Sequence, residues 1–188
     1  MKIRAAQPAD ARQIARLIIL AMDDLAAKFA GSSDPFEAVP LFERFAALPA
    51  NQYSYENILV YEDQDDVCGM ISAYDGANLA QLRKPFLDYL RQTYGFDVLP
   101  EDETQAGEYY IDCVSVAEGR QGQGIGKKLI QALIDSVVPA KHNCLGLLVS
   151  KNNPQAERLY LKLGFEVQNE RRFMGGDYYH MQYHANSR

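Results

Sequence analysis

Apolar residues along the chain recur with two periods, one near 3.6 and one of two, and the changes between them mark out the elements. Ile3 to Gln7 reads as a short opening strand. Pro8 suits a first helical turn, and Ile14, Leu17, Ile18 and Met22 then recur at helical spacing. Gly31 to Pro35 breaks this helix, Leu41 to Leu48 offers a second, and Asn51 to Asn57 is loop-like. Ile58 to Tyr61 and Val67 to Tyr74 predict a hairpin around the polar turn Glu62 to Asp66. Leu79, Leu82, Phe86, Leu87, Leu90 and Tyr94 share one helical face that stops at Gly95, and a polar, acidic loop follows from Pro100 to Gly107. Tyr109 to Val116 is a dense strand, 117–126 a glycine-rich segment, and Ile125 to Val137 an amphipathic helix. Cys144 to Val149 reads as a buried strand and Pro154 to Leu163 as another helix. Phe165 to Arg172 and Tyr178 to Tyr183 close the chain as strands around Gly175-Gly176. Strands outnumber helices and no linker divides them, so a single mixed α/β (α+β) domain over 1–188 is expected.

Composition agrees with a packed domain, since 47% hydrophobic and 23% charged residues lie in the globular range. The charge of −6, from 19 Lys plus Arg against 25 Asp plus Glu, argues against nucleic-acid binding, which needs a basic surface to release counterions. A cationic ligand, or a local basic pocket on an acidic body, stays open. Cys68, Cys113 and Cys144 stand singly among apolar residues, which fits buried thiols in a reducing compartment. Met1 to Gln7 has no apolar leader, and the apolar run Leu17 to Met22 is too short to cross a bilayer. A cytoplasmic protein without membrane partners is the expectation.

Chemistry concentrates in Val114 to Leu129, where a strand runs through Gly122, Gly124 and Gly126 directly into a helix. Glycine lets backbone amides approach a ligand, and a helix start adds oriented donors and partial positive charge, so the segment suits a pyrophosphate. A Walker A loop would need Gly at 121 and Ser or Thr at 128, where Gln121 and Lys128 stand. A dinucleotide fingerprint from Gly122 would need Gly at 127, which is Lys127. A glycine turn without ligand stays open at this point. In the second informative stretch, Leu147 to Phe165, Asn153 before Pro154 is also an ordinary helix cap, and Tyr160 is also an ordinary packing residue. His180 and His184 sit in a strand, where HxxxH spacing does not gather ligands, and His142 precedes a strand without an evident partner. No metal site is expected. Ser115 and Ser150 lie in strands without a nucleophile elbow.

Taken together, the two stretches resemble the GNAT acetyltransferases. The pattern Q/R-x-x-G-x-G/A appears as Gln121 to Gly126, and N-x-x-A-x-x-L-Y-x-x-x-G-F appears from Asn153 to Phe165. The resemblance covers about Lys2 to Tyr183. It implies a mostly antiparallel twisted sheet flanked by helices and splayed between the strands at about 109–116 and 144–149. It also implies acetyl-CoA as co-substrate, its pyrophosphate on the amides of Gln121, Gly122, Gln123, Gly124, Ile125, Gly126 and Lys127. The pantetheine arm would lie along Val114 and Val116 and near Asn153. Tyr160 would reprotonate the leaving thiolate, while a primary amine attacks the thioester directly. Asp112 shares a strand face with Val114 and Val116 and matches the carboxylate that polyamine acetyltransferases carry; a solvated aspartate, with water as base, fits equally well. Residues 77–108 depart from the family's simplest plan as a helical and acidic insertion. We expect a wall for the acceptor amine (small molecule or peptide) with Tyr74, Asp75, Glu108 and the acidic loop Glu101 to Glu103 facing it. A surface insertion or a homodimer contact is the alternative. A non-catalytic CoA-binding module is the competing function.

Overall fold

In the computed structural model, which describes residues 1–22, 24–137 and 142–185, one seven-stranded sheet carries the molecule. Its strands are β1 (Lys2–Ala5), β2 (Ile58–Asp63), β3 (Asp66–Asp75), β4 (Tyr109–Val116), β5 (Cys144–Ser150), β6 (Glu166–Phe173) and β7 (Gly176–His184). They lie in the order β1-β2-β3-β4-β5-β7-β6. All neighbours are antiparallel except β4 and β5. The helices are α1 (Ala11–Met22), α2 (Asp24–Ala30), α3 (Val39–Ala46), α4 (Leu79–Tyr94), α5 (Ile125–Val137) and α6 (Pro154–Lys162). The architecture expected from the sequence is therefore the one found, with two refinements. The stretch to Ala30 carries α2 as a separate element. The second hairpin turns on Met174 and Gly175, both at positive φ, as a two-residue type I′ connection demands.

Two cores sandwich the sheet. On one face Ile14, Ile18 and Phe42 from α1 and α3 meet Val60 and Met70 of the sheet. On the other, Leu129, Ile130 and Leu133 of α5 cover Ile71, Ile111, Leu145 and Leu147, with Tyr160 and Leu163 of α6 packed beside them. The inserted helix α4 belongs to the first core. Phe86 is 1% exposed and lies 4.7 Å from Tyr53 and 5.1 Å from Phe45, ring centre to ring centre. This insertion is thus a structural part of the domain, and it carries the loop 95–108 back across one end of the sheet. Among the described residues no helix is long and apolar enough to cross a membrane.

Two irregularities shape what lies between the cores. β4 and β5 pair only at Tyr109–Leu145, Tyr110–Gly146 and Ile111–Leu147, so beyond Ile111 the strands part. At the same point the register between β3 and β4 shifts: Ser72 faces Cys113 and Ala73 faces Ile111, leaving Asp112 as the extra residue of a bulge. A bulge re-aims its side chains and bends its strand.

Candidate active site

The gap between the parted strands is a cavity of about 410 Å³. Asp112, Val114 and Val116 line it from β4, Val149 from β5, Asn153 and Tyr160 from α6. A second cavity of about 390 Å³ is lined by Gln121, Gly122, Gly124, Ile125, Gly126 and Lys127. Val114, Val116, Gln121, Asn153 and Tyr160 line both, so the two are one continuous cleft. The sequence had placed these residues together, and the structure does so; Gln123 alone of the glycine segment lines neither cavity.

The loop end is built for an anion. Gly122 and Gly124 both hold φ at +76°, a conformation that costs any residue with a side chain, and a methyl group added at either would meet nothing within 4 Å. Their backbone therefore faces open space at the start of α5, where the helix presents its unpaired amides. Arg120 is tied back to Asp63 at 2.7 Å, and Lys128 lies over the Tyr61 ring at 5.7 Å. Neither motif residue on α6 is occupied only by packing. Asn153 Oδ1 caps the helix by accepting from Ala156 N at 3.0 Å, while its amide nitrogen donates to no described residue. The half-buried Tyr160 packs edge-on to Phe165, with centroids 5.8 Å apart, and burial raises its phenol above the usual value.

At the other end stands a buried polar cluster that sequence reading only half located. The side-chain amide of Gln52 donates to Glu103 Oε1 at 2.8 Å and to Asp112 Oδ1 at 3.2 Å. The Tyr74 hydroxyl donates to the same Glu103 oxygen at 3.3 Å. Burial, reinforced by the charge of Asp112, pushes the Glu103 carboxyl well above the usual carboxylate range, and burial pushes Asp112 up as well. Glu103 and Asp112 are the only charged side chains that line the larger cavity.

The acceptor-side expectations need correcting in detail. Of the acidic loop, Glu103 alone turns inward. Glu101 accepts from Met174 N at 2.9 Å, and Asp102 pairs with Arg83. Tyr74, Asp75 and Glu108 do not line the cavity. Tyr74 stands behind Glu103, reaching the site through it. Asp75 caps a turn by accepting from Ala77 N at 3.0 Å and lies 3.5 Å from His142, which thus has a partner after all. Glu108 is enclosed beneath β5, 2.9 Å from His180 Nε2, and also accepts from Gln182 and Thr104. Burial opposes its ionisation, but those hydrogen bonds outweigh it and hold the carboxyl at about 2. Gly146 is required there, because a methyl group would come within 2.1 Å of Glu108 Oε2. Gln52 was missed because it lies in a loop with no motif and gains meaning only through residues 51 and 60 positions away.

A parted parallel pair with a glycine loop at one end and a motif helix at the other is the hallmark that the sequence resemblance anticipated. The Acetyltransferase (GNAT) family model matches residues 19–165, and the chain belongs to that family. A crystallised acetyltransferase is 32% identical, superimposes with a TM-score of 0.82, and the match covers 99% of this chain and 100% of that one. A putative acetyltransferase from Salmonella typhimurium, solved with acetyl-CoA, shares the fold at 22% identity and a TM-score of 0.58, over 100% of this chain and 95% of that one. The spermine/spermidine N(1)-acetyltransferase of Bacillus subtilis (strain 168) is 32% identical over 83 residues, 44% of this chain and 55% of that protein. The chain therefore spans about half the length of the curated relatives it matches. Among the described residues no group of three or more His, Cys, Asp or Glu is placed to hold a metal.

Proposed function

We propose that the protein transfers an acetyl group from acetyl-CoA to a primary amine by direct attack on the thioester, with a polyamine or a similar diamine as acceptor. The observation that carries this is the continuous cleft, with an anion cradle at one end, a buried carboxylate at the other and Tyr160 lining both of its halves. Acetyl-CoA supplies the activated acyl carbon. The amides of Gln121 to Lys127 would hold its pyrophosphate, and the open edge of β4 at Val114 and Val116, without a strand partner on the β5 side, suits its extended arm. The named activity of the Bacillus relative supports a polyamine as acceptor.

The remaining roles follow from proton chemistry. An alkyl ammonium titrates near 10.4, so at neutral pH it must lose a proton before it can attack. Asp112, aimed into the cleft by the bulge, is the base; its raised pKa brings it closer to the amine's than an ordinary aspartate would be. A backbone N–H near Val114 would stabilise the oxyanion. Tyr160 donates to the departing thiolate. Burial that raises its phenol raises a thiol in the same cleft too, as it does for Cys113 beside it, so the transfer stays close to balanced.

The test is thiol release from acetyl-CoA across a panel of diamines, polyamines, amino acids and peptides. We expect amine-dependent release that falls about a hundredfold in Asp112→Asn, the typical contribution of a general base. CoA binding without release by any amine would instead mark a non-catalytic CoA-binding module.

A further inference from the structure

We infer that Glu103, carried in by the inserted segment, is the second half of the acceptor's ammonium seat with Asp112, and that this seat selects cationic amines lacking a neighbouring carboxylate. The inference rests on the acetyl-transfer reading above and adds a specificity-determining residue to it. Three features of the cleft carry it.

The first is placement. Glu103 and Asp112 come from segments that meet only in the folded chain, and both line the 410 Å³ cavity. The second is incomplete satisfaction. Glu103 Oε1 and Asp112 Oδ1 take the two protons of the Gln52 amide, which must face them because both are acceptors. Glu103 Oε2 and Asp112 Oδ2 accept from no described side chain or backbone group, so an ammonium with three N–H donors could meet both. The third is the sign of the wall. No cationic side chain lines the cavity, so a carboxylate on the acceptor would enter beside two acids without a partner.

Facing the pair are Tyr53 and Tyr74, Tyr110 and Cys113 of β4, Tyr178 of β7, and Arg83 of α4. Arg83 is engaged by Asp102 and donates to the carbonyl of Glu101. The four tyrosines stay neutral, since burial raises each phenol. Two adjacent buried carboxyls without a free cation hold one proton between them near neutrality. Binding of R–NH₃⁺ displaces that proton to solvent, leaving both carboxylates on the ammonium. The pair then takes one N–H proton, freeing the nitrogen lone pair for the acyl carbon. As the new C–N bond forms and the C–S bond breaks, a second N–H proton balances the one delivered to the thiolate. The sum is R–NH₃⁺ plus acyl thioester giving amide, thiol and one proton.

The experiment compares 1,5-diaminopentane with lysine, which is the same diamine bearing one carboxylate. Wild-type protein should prefer the diamine by about a hundredfold or more in kcat/KM. Calorimetry of 1,5-diaminopentane binding in two buffers of different ionisation enthalpy, near pH 7, should show release of about one proton. Glu103→Gln should raise the KM for the diamine about tenfold to a hundredfold, leave the acetyl-CoA KM unchanged, and abolish the proton release. Equal use of lysine, proton-neutral binding by wild type, or a Glu103→Gln variant with unchanged KM and proton release would each overturn the inference. The wild-type measurements stand even where the variant fails to fold. Thiol release that survives while these tests fail would remove the seat and keep the acetyl-transfer reading; calorimetry reads the seat without turnover.

Discussion

At the scale of single residues, the cleft works by withholding partners. Asp112 is the unpaired residue of a bulge, and its position outside the ladder points it where β4 and β5 part. Tyr160 likewise sits on a helix with no fully buried residue, so its ring covers the second core while remaining half-exposed to the cleft. Tyr160→Phe keeps that packing and removes only the proton. Turnover should fall about a hundredfold with CoA affinity unchanged; equal turnover in the variant would remove Tyr160 from the proton path. Both residues were legible in the sequence, Tyr160 through its spaced motif and Asp112 through the period of two. Glu103 stood only as a weak candidate among three acids, and Gln52 did not stand out at all. No local pattern distinguishes the one acid that turns inward from Glu101 and Asp102, which are drawn outward by Met174 N and Arg83. That choice is tertiary.

At the scale of elements, the glycine segment separates folding from binding. Gly124 stands at a φ of +76° with open space where a side chain would go. A residue with a side chain there costs about 1–2 kcal/mol in backbone strain, while its atoms clash with nothing of the fold. Gly124→Glu should therefore melt only a few degrees lower but bind CoA at least a hundredfold more weakly, because a carboxylate enters a site meant for a phosphate. Retained affinity, read by calorimetry, would sink the cradle. The strands and helices around it were readable because each buries a regular face. The inserted helix was readable as a helix from Leu79 to Tyr94, but its standing as core was not, since the aromatic cluster of Phe29, Phe42, Phe45, Tyr53 and Phe86 spans four separate segments.

At the scale of the whole molecule, acidic groups pull stability in opposite directions. Glu108 is held at about 2, below its unfolded value, so it contributes stability above the ordinary carboxylate range and loses it as pH falls toward about 2. Glu103 and Asp112 are raised, so the folded state binds more protons than the unfolded one and stability declines as pH climbs above the ordinary carboxylate value of about 4. Glu103→Gln should flatten that decline in the protein without ligand, its melting temperature overtaking wild type on the alkaline side. An unchanged slope would place the decline elsewhere. The three-pair junction of β4 and β5 has a further consequence. The sheet is unfinished along one seam, and whatever fills it is added to the fold as well as to the site. Melting temperature is then a gauge of occupancy: a filler at a hundred times its Kd adds about 2.7 kcal/mol to the folded state. A heat ramp can thus rank candidate ligands for this seam without any knowledge of what the protein acetylates.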